Sequence, residues 1–162
     1  MNLNRAIHIS TEAHKEQEDK VGKPYITHAM RVMERCKTND EKIVAVLHDV
    51  VEDCSEQGWT LSRLQEEGFS PNILQAVQAI SQNEGEPKAD YIGRVKKNPL
   101  ATRVKLNDLE DNMDIRRLPQ ITEKFVRRLN GYLKTYRYLL DEISFDEYIK
   151  EDEKFPQALE QG

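Results

Sequence analysis

Apolar positions recur along the chain at helical spacing, and no segment alternates with the period of two that a half-buried strand requires. Ile7, Ala13 and His14 fall on one face of an opening helix that gives way to a polar stretch over residues 16–23. Gly22 and Pro24 punctuate the chain there. Pro24 suits the first turn of a second helix carrying Tyr25, Ile26, Ala29, Met30, Val32 and Met33. After a turn at residues 38–40, Asn39 or Asp40 is expected to cap a third helix through Ile43, Val44, Val46, Leu47, Val50 and Val51. That helix is apolar nearly all round, which predicts burial. Two shorter helices are expected next. One starts near Thr60 and ends at Gly68, and the other follows Ser70-Pro71 with Ile73, Leu74, Ala76, Val77 and Ile80. Residues 82–87 read as loop. Helices over about residues 90–97 and 100–113 precede a long one over about residues 122–143, with Phe125, Leu129, Leu133, Tyr136 and Leu140 on its inner face. The acidic tail from Glu151, broken at Pro156, is expected to fray. The pattern predicts an all-α fold, a compact multi-helix bundle, with residues 1–150 as a single domain.

Composition narrows the function classes. A chain of 162 residues suits one domain with a core of its own. Its apolar runs fall well short of the roughly 18 residues of a membrane span. The N-terminus has no apolar stretch of a secretory signal. Cys36 and Cys54 lack CxxC spacing and read as packed, reduced thiols, which points to the cytoplasm. The net charge of −5 argues against a nucleic-acid polymer or a membrane as partner. That charge is unevenly spread: residues 94–137 carry 12 Lys+Arg against 5 Asp+Glu, while the flanking segments are acidic. The segregation leaves room for a small, highly anionic ligand.

The apolar third helix contains an anomaly, LHDVVED. Spacings of four put His48 beside Glu52 and Asp49 beside Asp53, so the four share about half the helix surface. Three carboxylates on a buried helix repel one another and are costly to desolvate, and a cation removes both difficulties. The bland alternative is a solvated helix face. His28 lies on another apolar helix, where it reads either as a core histidine or as a further ligand. Asp108 belongs to VKLNDLEDNMDIRR, with Asn112 one turn on, and read alone that run could be an exposed acidic face. Together His28, His48, Asp49 and Asp108 make a mixed nitrogen and oxygen set suited to Mn²⁺, Fe²⁺ or Zn²⁺.

The order H…HD…D on successive helices resembles the HD metal-dependent phosphohydrolase superfamily. HKEQEDKVGKPYITH (residues 14–28), AVLHDVVED (residues 45–53) and RVKLNDLEDNM (residues 103–113) resemble, more narrowly, the hydrolase domain of RelA/SpoT-type alarmone enzymes. The resemblance spans roughly residues 5–140, and with no room for a synthetase domain it points to the stand-alone small alarmone hydrolases. It implies an HD-domain bundle in which His28, His48, Asp49 and Asp108 hold one Mn²⁺. It further implies that Glu52 and Asp53 orient or deprotonate the attacking water, with Asn112 near the nucleotide sugar and Lys20 at base or phosphate. Arg128 and Tyr132 match an Arg-xxx-Tyr pair of the substrate pocket, or are simply a surface Arg and a core-edge Tyr. The implied reaction removes the 3′-pyrophosphate of (p)ppGpp, giving GDP or GTP and pyrophosphate. Asp19, Cys54, Asn107 and Leu109 depart from the family pattern, and all four are expected beside the pocket. They keep open a different nucleotide, such as NADPH at its 2′-phosphate or an adenosine alarmone. A non-catalytic nucleotide-sensing module is the reading from another class.

Overall fold

The computed structural model describes residues 3–19 and 21–150. Lys20 and the acidic tail from residue 151 lie outside the described residues, so the expectations placed on them are not addressed by it. The helices are α1 (Leu3–Ala13), α2 (Ile26–Arg35), α3 (Asn39–Leu47), α4 (Val50–Asp53), α5 (Leu61–Glu66), α6 (Pro71–Ile80), α7 (Lys88–Lys96), α8 (Pro99–Asn112), α9 (Glu123–Leu139) and α10 (Phe145–Ile149). Short 3₁₀ turns occupy Ser55–Gln57 and Ile115–Arg117. Among the described residues the only extended pairing is one isolated bridge, between Glu18 and Pro24. Among the described residues no helix is long and apolar enough to cross a membrane.

α3 is the axis of the bundle, because its residues 43–47 are all buried and it packs against α1, α2, α6 and α8. An element apolar all round must be surrounded, and this arrangement surrounds it. Its cap differs from the sequence reading. Thr38, extended at φ −100°, accepts the Glu41 N–H at 3.2 Å, while Glu41 Oε2 accepts the Thr38 N–H at 3.2 Å. This reciprocal box satisfies two end donors at once, which leaves Asn39 and Asp40 as the first helical residues. Pro24 likewise lies in the turn before α2 rather than in its first turn.

Two further expectations are corrected. The third helix does not run through to Val51: it stops at Leu47, the chain turns at residues 48–49, and α4 restarts at Val50. The long last helix ends at Leu139, where Asp141 takes a left-handed φ of 60°, and Ser144 then caps the separate α10 through a second capping box. The buried line of α9 is Thr135, Tyr138 and Leu139, whereas Leu133 and Leu140 are exposed. Spacing reveals that a stripe exists but not which stripe is covered. Here α10 decides: Tyr138 stacks on Tyr148 with ring centroids 4.7 Å apart. Cys36 and Cys54 are free and buried, as expected of packed thiols.

Candidate metal centre

Three elements deliver the polar side chains to one buried spot. On an unbroken helix, neighbouring residues do not face each other. The break after Leu47 brings His48 and Asp49 to the same side, with His48 Nε2 2.8 Å from Asp49 Oδ2. α2 contributes His28 and α8 contributes Asp108, both buried. Ligand atoms of His28, His48 and Asp49 all lie within 4.8 Å of one another. Asp108 Oδ1 joins them at 3.2 Å from His28 Nε2 and 3.8 Å from His48 Nε2.

The outer nitrogens of both rings are occupied. His48 Nδ1 meets the Ala45 carbonyl at 2.6 Å, and His28 Nδ1 meets Asp111 Oδ2 at 2.8 Å. Each partner can only accept, so each ring carries its proton on Nδ1 and, when neutral, turns a bare Nε2 toward the carboxylates. His48 Nε2 is buried and has no hydrogen-bond partner: Asp49 Oδ2, 2.8 Å away, lies off its hydrogen-bonding direction, and Asp108 Oδ1, at 3.8 Å, is beyond hydrogen-bond reach. An orphaned imidazole nitrogen beside two carboxylates and a second imidazole is what a divalent ion with nitrogen and oxygen ligands requires.

The charges are strongly interdependent. Burial drives the His48 pKa down, but Asp49 and Asp108 outweigh it and hold it well above the usual value. Burial likewise opposes ionisation of Asp108. Lys105, whose Nζ sits 2.8 Å from its Oδ2, and the two imidazoles nevertheless keep it well below the carboxylate range. Tyr25 donates its hydroxyl to Asp49 Oδ2, and Asn112 donates to Asp108 Oδ1 at 2.6 Å.

The other expected site residues are distributed less tightly. Glu52 and Asp53 are exposed at the margin and do not line the inner cavity. Glu52 Oε2 accepts the Gln82 N–H at 2.7 Å, and Asp53 Oδ2 accepts from Gln17 at 2.8 Å. Although the Glu52 side chain reaches the surface, partial desolvation of its carboxyl raises the pKa, the Gln82 bond opposes this, and Asp49 adds to the rise. The inner cavity, about 250 Å³, is lined by His28, Asp49, Asp108, Asn112 and Tyr132 among others. A larger basic cleft of about 760 Å³ holds Arg128 together with Lys88, Lys124 and Arg127, and Tyr132 lines both spaces.

Of the four departures from the family pattern, only Asp19 lines the inner cavity. Leu109 is buried in the apolar core, Asn107 donates to Cys36 Sγ at 3.4 Å, and Cys54 packs under Ala13 and His14. Sequence reasoning overlooked Tyr25, Lys105 and Asp111. Each lies three residues from an expected ligand, an offset that shares a helix face and could have found them. Arg117, which also lines the cavity, arrives through a turn and had no such signal.

No family model matches the chain. Over 121 residues it is 30% identical to the guanosine-3′,5′-bis(diphosphate) 3′-pyrophosphohydrolase of Aquifex aeolicus (strain VF5), covering 69% of this chain and 17% of that protein. Over 124 residues it is 30% identical to a probable GTP pyrophosphokinase of Mycobacterium leprae (strain TN), covering 68% of this chain and 15% of that one. The chain thus spans less than a fifth of the length of these curated relatives. Among solved structures, the fold matches a metazoan ortholog of SpoT, described as hydrolyzing ppGpp, with a TM-score of 0.69 and 21% identity over 85% of this chain and 84% of that one. Helix order, the convergence of His28, His48, Asp49 and Asp108, and these likenesses together place the chain in the HD-type RelA/SpoT hydrolase domain family.

Proposed function

We propose that this chain is a cytoplasmic, Mn²⁺-dependent hydrolase that removes the 3′-pyrophosphate of (p)ppGpp, with residues 1–150 forming one hydrolase domain. The observation that carries the reading is the inward-facing pair of imidazole Nε2 atoms, one of them orphaned, beside Asp49 and Asp108. His28, His48, Asp49 and Asp108 would hold the ion. When bound, a divalent ion makes hydroxide available near neutral pH and polarises a phosphoryl oxygen.

The chain's own residues supply the rest. Glu52, raised in pKa and one turn beyond the HD pair, takes a proton from the attacking water, and Asp53 orients it. Asn112, fixed on Asp108, faces the nucleotide sugar. An inner cavity of about 250 Å³ is below the ~300–1,000 Å³ of ordinary ligand sites. A nucleotide with two diphosphates therefore extends past Tyr132 into the basic cleft, where Arg128 and its neighbours meet the phosphates remote from the metal. Lys20 is assigned to base or phosphate on resemblance alone. One observation favours a second reading. The resemblance implies a basic residue where this chain has Asp19, which lines the inner cavity, and a carboxylate there suits another nucleotide, such as NADPH at its 2′-phosphate or an adenosine alarmone.

A nucleotide panel incubated with Mn²⁺ and resolved by chromatography tests the substrate. ppGpp should fall to GDP and pyrophosphate. If ppGpp survives while another nucleotide is consumed, the substrate assignment is wrong and the hydrolase class stands. If no nucleotide is consumed although several bind, the chain is a sensor.

A further inference from the structure

The two candidate metal histidines are held in position differently. His48 leans on a backbone carbonyl, Ala45 O, which belongs to its own helix turn. His28 leans on a side chain from another helix, Asp111, with 2.8 Å between Nδ1 and Oδ2. Asp111 is fully buried, at 0% exposure. It lies three residues after Asp108, so a single face of α8 presents both a candidate ligand and the support of another ligand.

A fully buried carboxylate needs compensation, and Asp111 has two guanidinium groups. Arg31, from α2, donates to its Oδ1 at 2.8 Å and its Oδ2 at 3.1 Å. Arg117 donates to Oδ2 at 2.6 Å and to the Asp111 backbone carbonyl at 3.0 Å. Arg117 also reaches Asp19 Oδ2 at 3.0 Å. Asp19 in turn fixes the loop before α2 by accepting the N–H groups of Val21 and Lys23 at 2.9 and 3.0 Å. Asp19 thus has a defined task, as the outer end of a chain running Asp19–Arg117–Asp111–His28.

We propose that Asp111 is the positioning residue of the metal centre: it fixes His28 with the proton on Nδ1 and the Nε2 lone pair toward Asp108, and the Asp19–Arg117 bridge holds Asp111 in place. An ionised carboxylate clamped by two arginines can only accept, so the flipped ring or the other tautomer finds no partner there. A purely structural ion-pair hub, joining α2 to α8, is the competing account. It predicts effects on stability with no separate effect on the ion. The proposal rests on the metal reading above.

Asp111→Asn separates the two accounts, because a carboxamide of the same shape can donate to Nδ1 as well as accept, and so admits the wrong tautomer. Mn²⁺ affinity, measured without nucleotide by competition with a chelating dye, should fall by about 10- to 100-fold while circular dichroism shows the fold intact. In Zn²⁺-loaded, ¹⁵N-labelled wild type, His28 should show a protonated Nδ1 and a metal-bound Nε2. This second reading does not depend on how the variant folds. Wild-type Mn²⁺ affinity in folded Asp111→Asn, or a wild-type His28 bound through Nδ1, overturns the proposal while leaving the metal reading standing. Failure of the wild type to bind either Mn²⁺ or Zn²⁺ removes the metal reading, and the proposal with it.

Discussion

Asp49 and Glu52 are three residues apart and have opposite surroundings. Asp49 accepts from Tyr25 and lies against His48 Nε2, while Glu52 is exposed and accepts the Gln82 N–H from the segment after α6. This division predicts different failures on truncation. Asp49→Ala should lose both bound metal and turnover. Glu52→Ala should keep the metal, read by elemental analysis, and lose about 10²–10⁴-fold in kcat. Full metal occupancy in Asp49→Ala would remove Asp49 from the ligand set. The candidate ligands His28, His48 and Asp49 stand out in the sequence as polar anomalies on apolar helices, whereas Asp108, in a mixed acidic run, stands out only when read together with them. Tyr25, Lys105 and Asp111 were not singled out, because a tyrosine, a lysine and an aspartate within a mixed helix look ordinary until burial is known.

At the scale of elements, the end of α3 sets the site, and its start sets the stability of α3. Glu41 is buried, closes the capping box and accepts from Arg103 at 2.6 Å. Burial opposes its ionisation, but the Lys37 N–H, Arg103 and the Thr38 N–H together hold its pKa below the ordinary 4.5. A carboxylate depressed on folding stabilises above its unfolded pKa, and that contribution disappears as pH falls through the folded value. Wild type should therefore exceed Glu41→Gln in urea midpoint at pH 7, with the gap closing as pH falls below the ordinary 4.5. A constant gap across that range would show that the carboxylate charge contributes nothing. Helix order through α8 could be read from the sequence pattern, with α3 and α4 merged into one. The break after Leu47 could not, since an apolar run continues across it. The covered stripe of α9 was misassigned for a related reason, because a partner as short as α10 leaves almost no periodic signal.

For the whole molecule, the charge pattern and the two cavities are one feature. The basic segment of residues 94–137 supplies Lys105 and Arg117 to the inner cavity and Lys124, Arg127 and Arg128 to the outer cleft. The acidic residues of the inner cavity gather where a cation is proposed to sit. Arg128→Met should raise KM for ppGpp by more than it lowers kcat, as loss of a contact made equally in ground and transition states does, and should leave metal affinity unchanged. An unchanged KM would move the distal phosphates elsewhere. The central claim is metal-centred removal of pyrophosphate, and release of pyrophosphate from ppGpp by the purified chain tests it most directly. With Mn²⁺ the account predicts one pyrophosphate per ppGpp consumed, abolished by EDTA and restored by added Mn²⁺. Release that persists at the same rate in excess EDTA, or none at any Mn²⁺ concentration in protein shown to bind the ion, would contradict it.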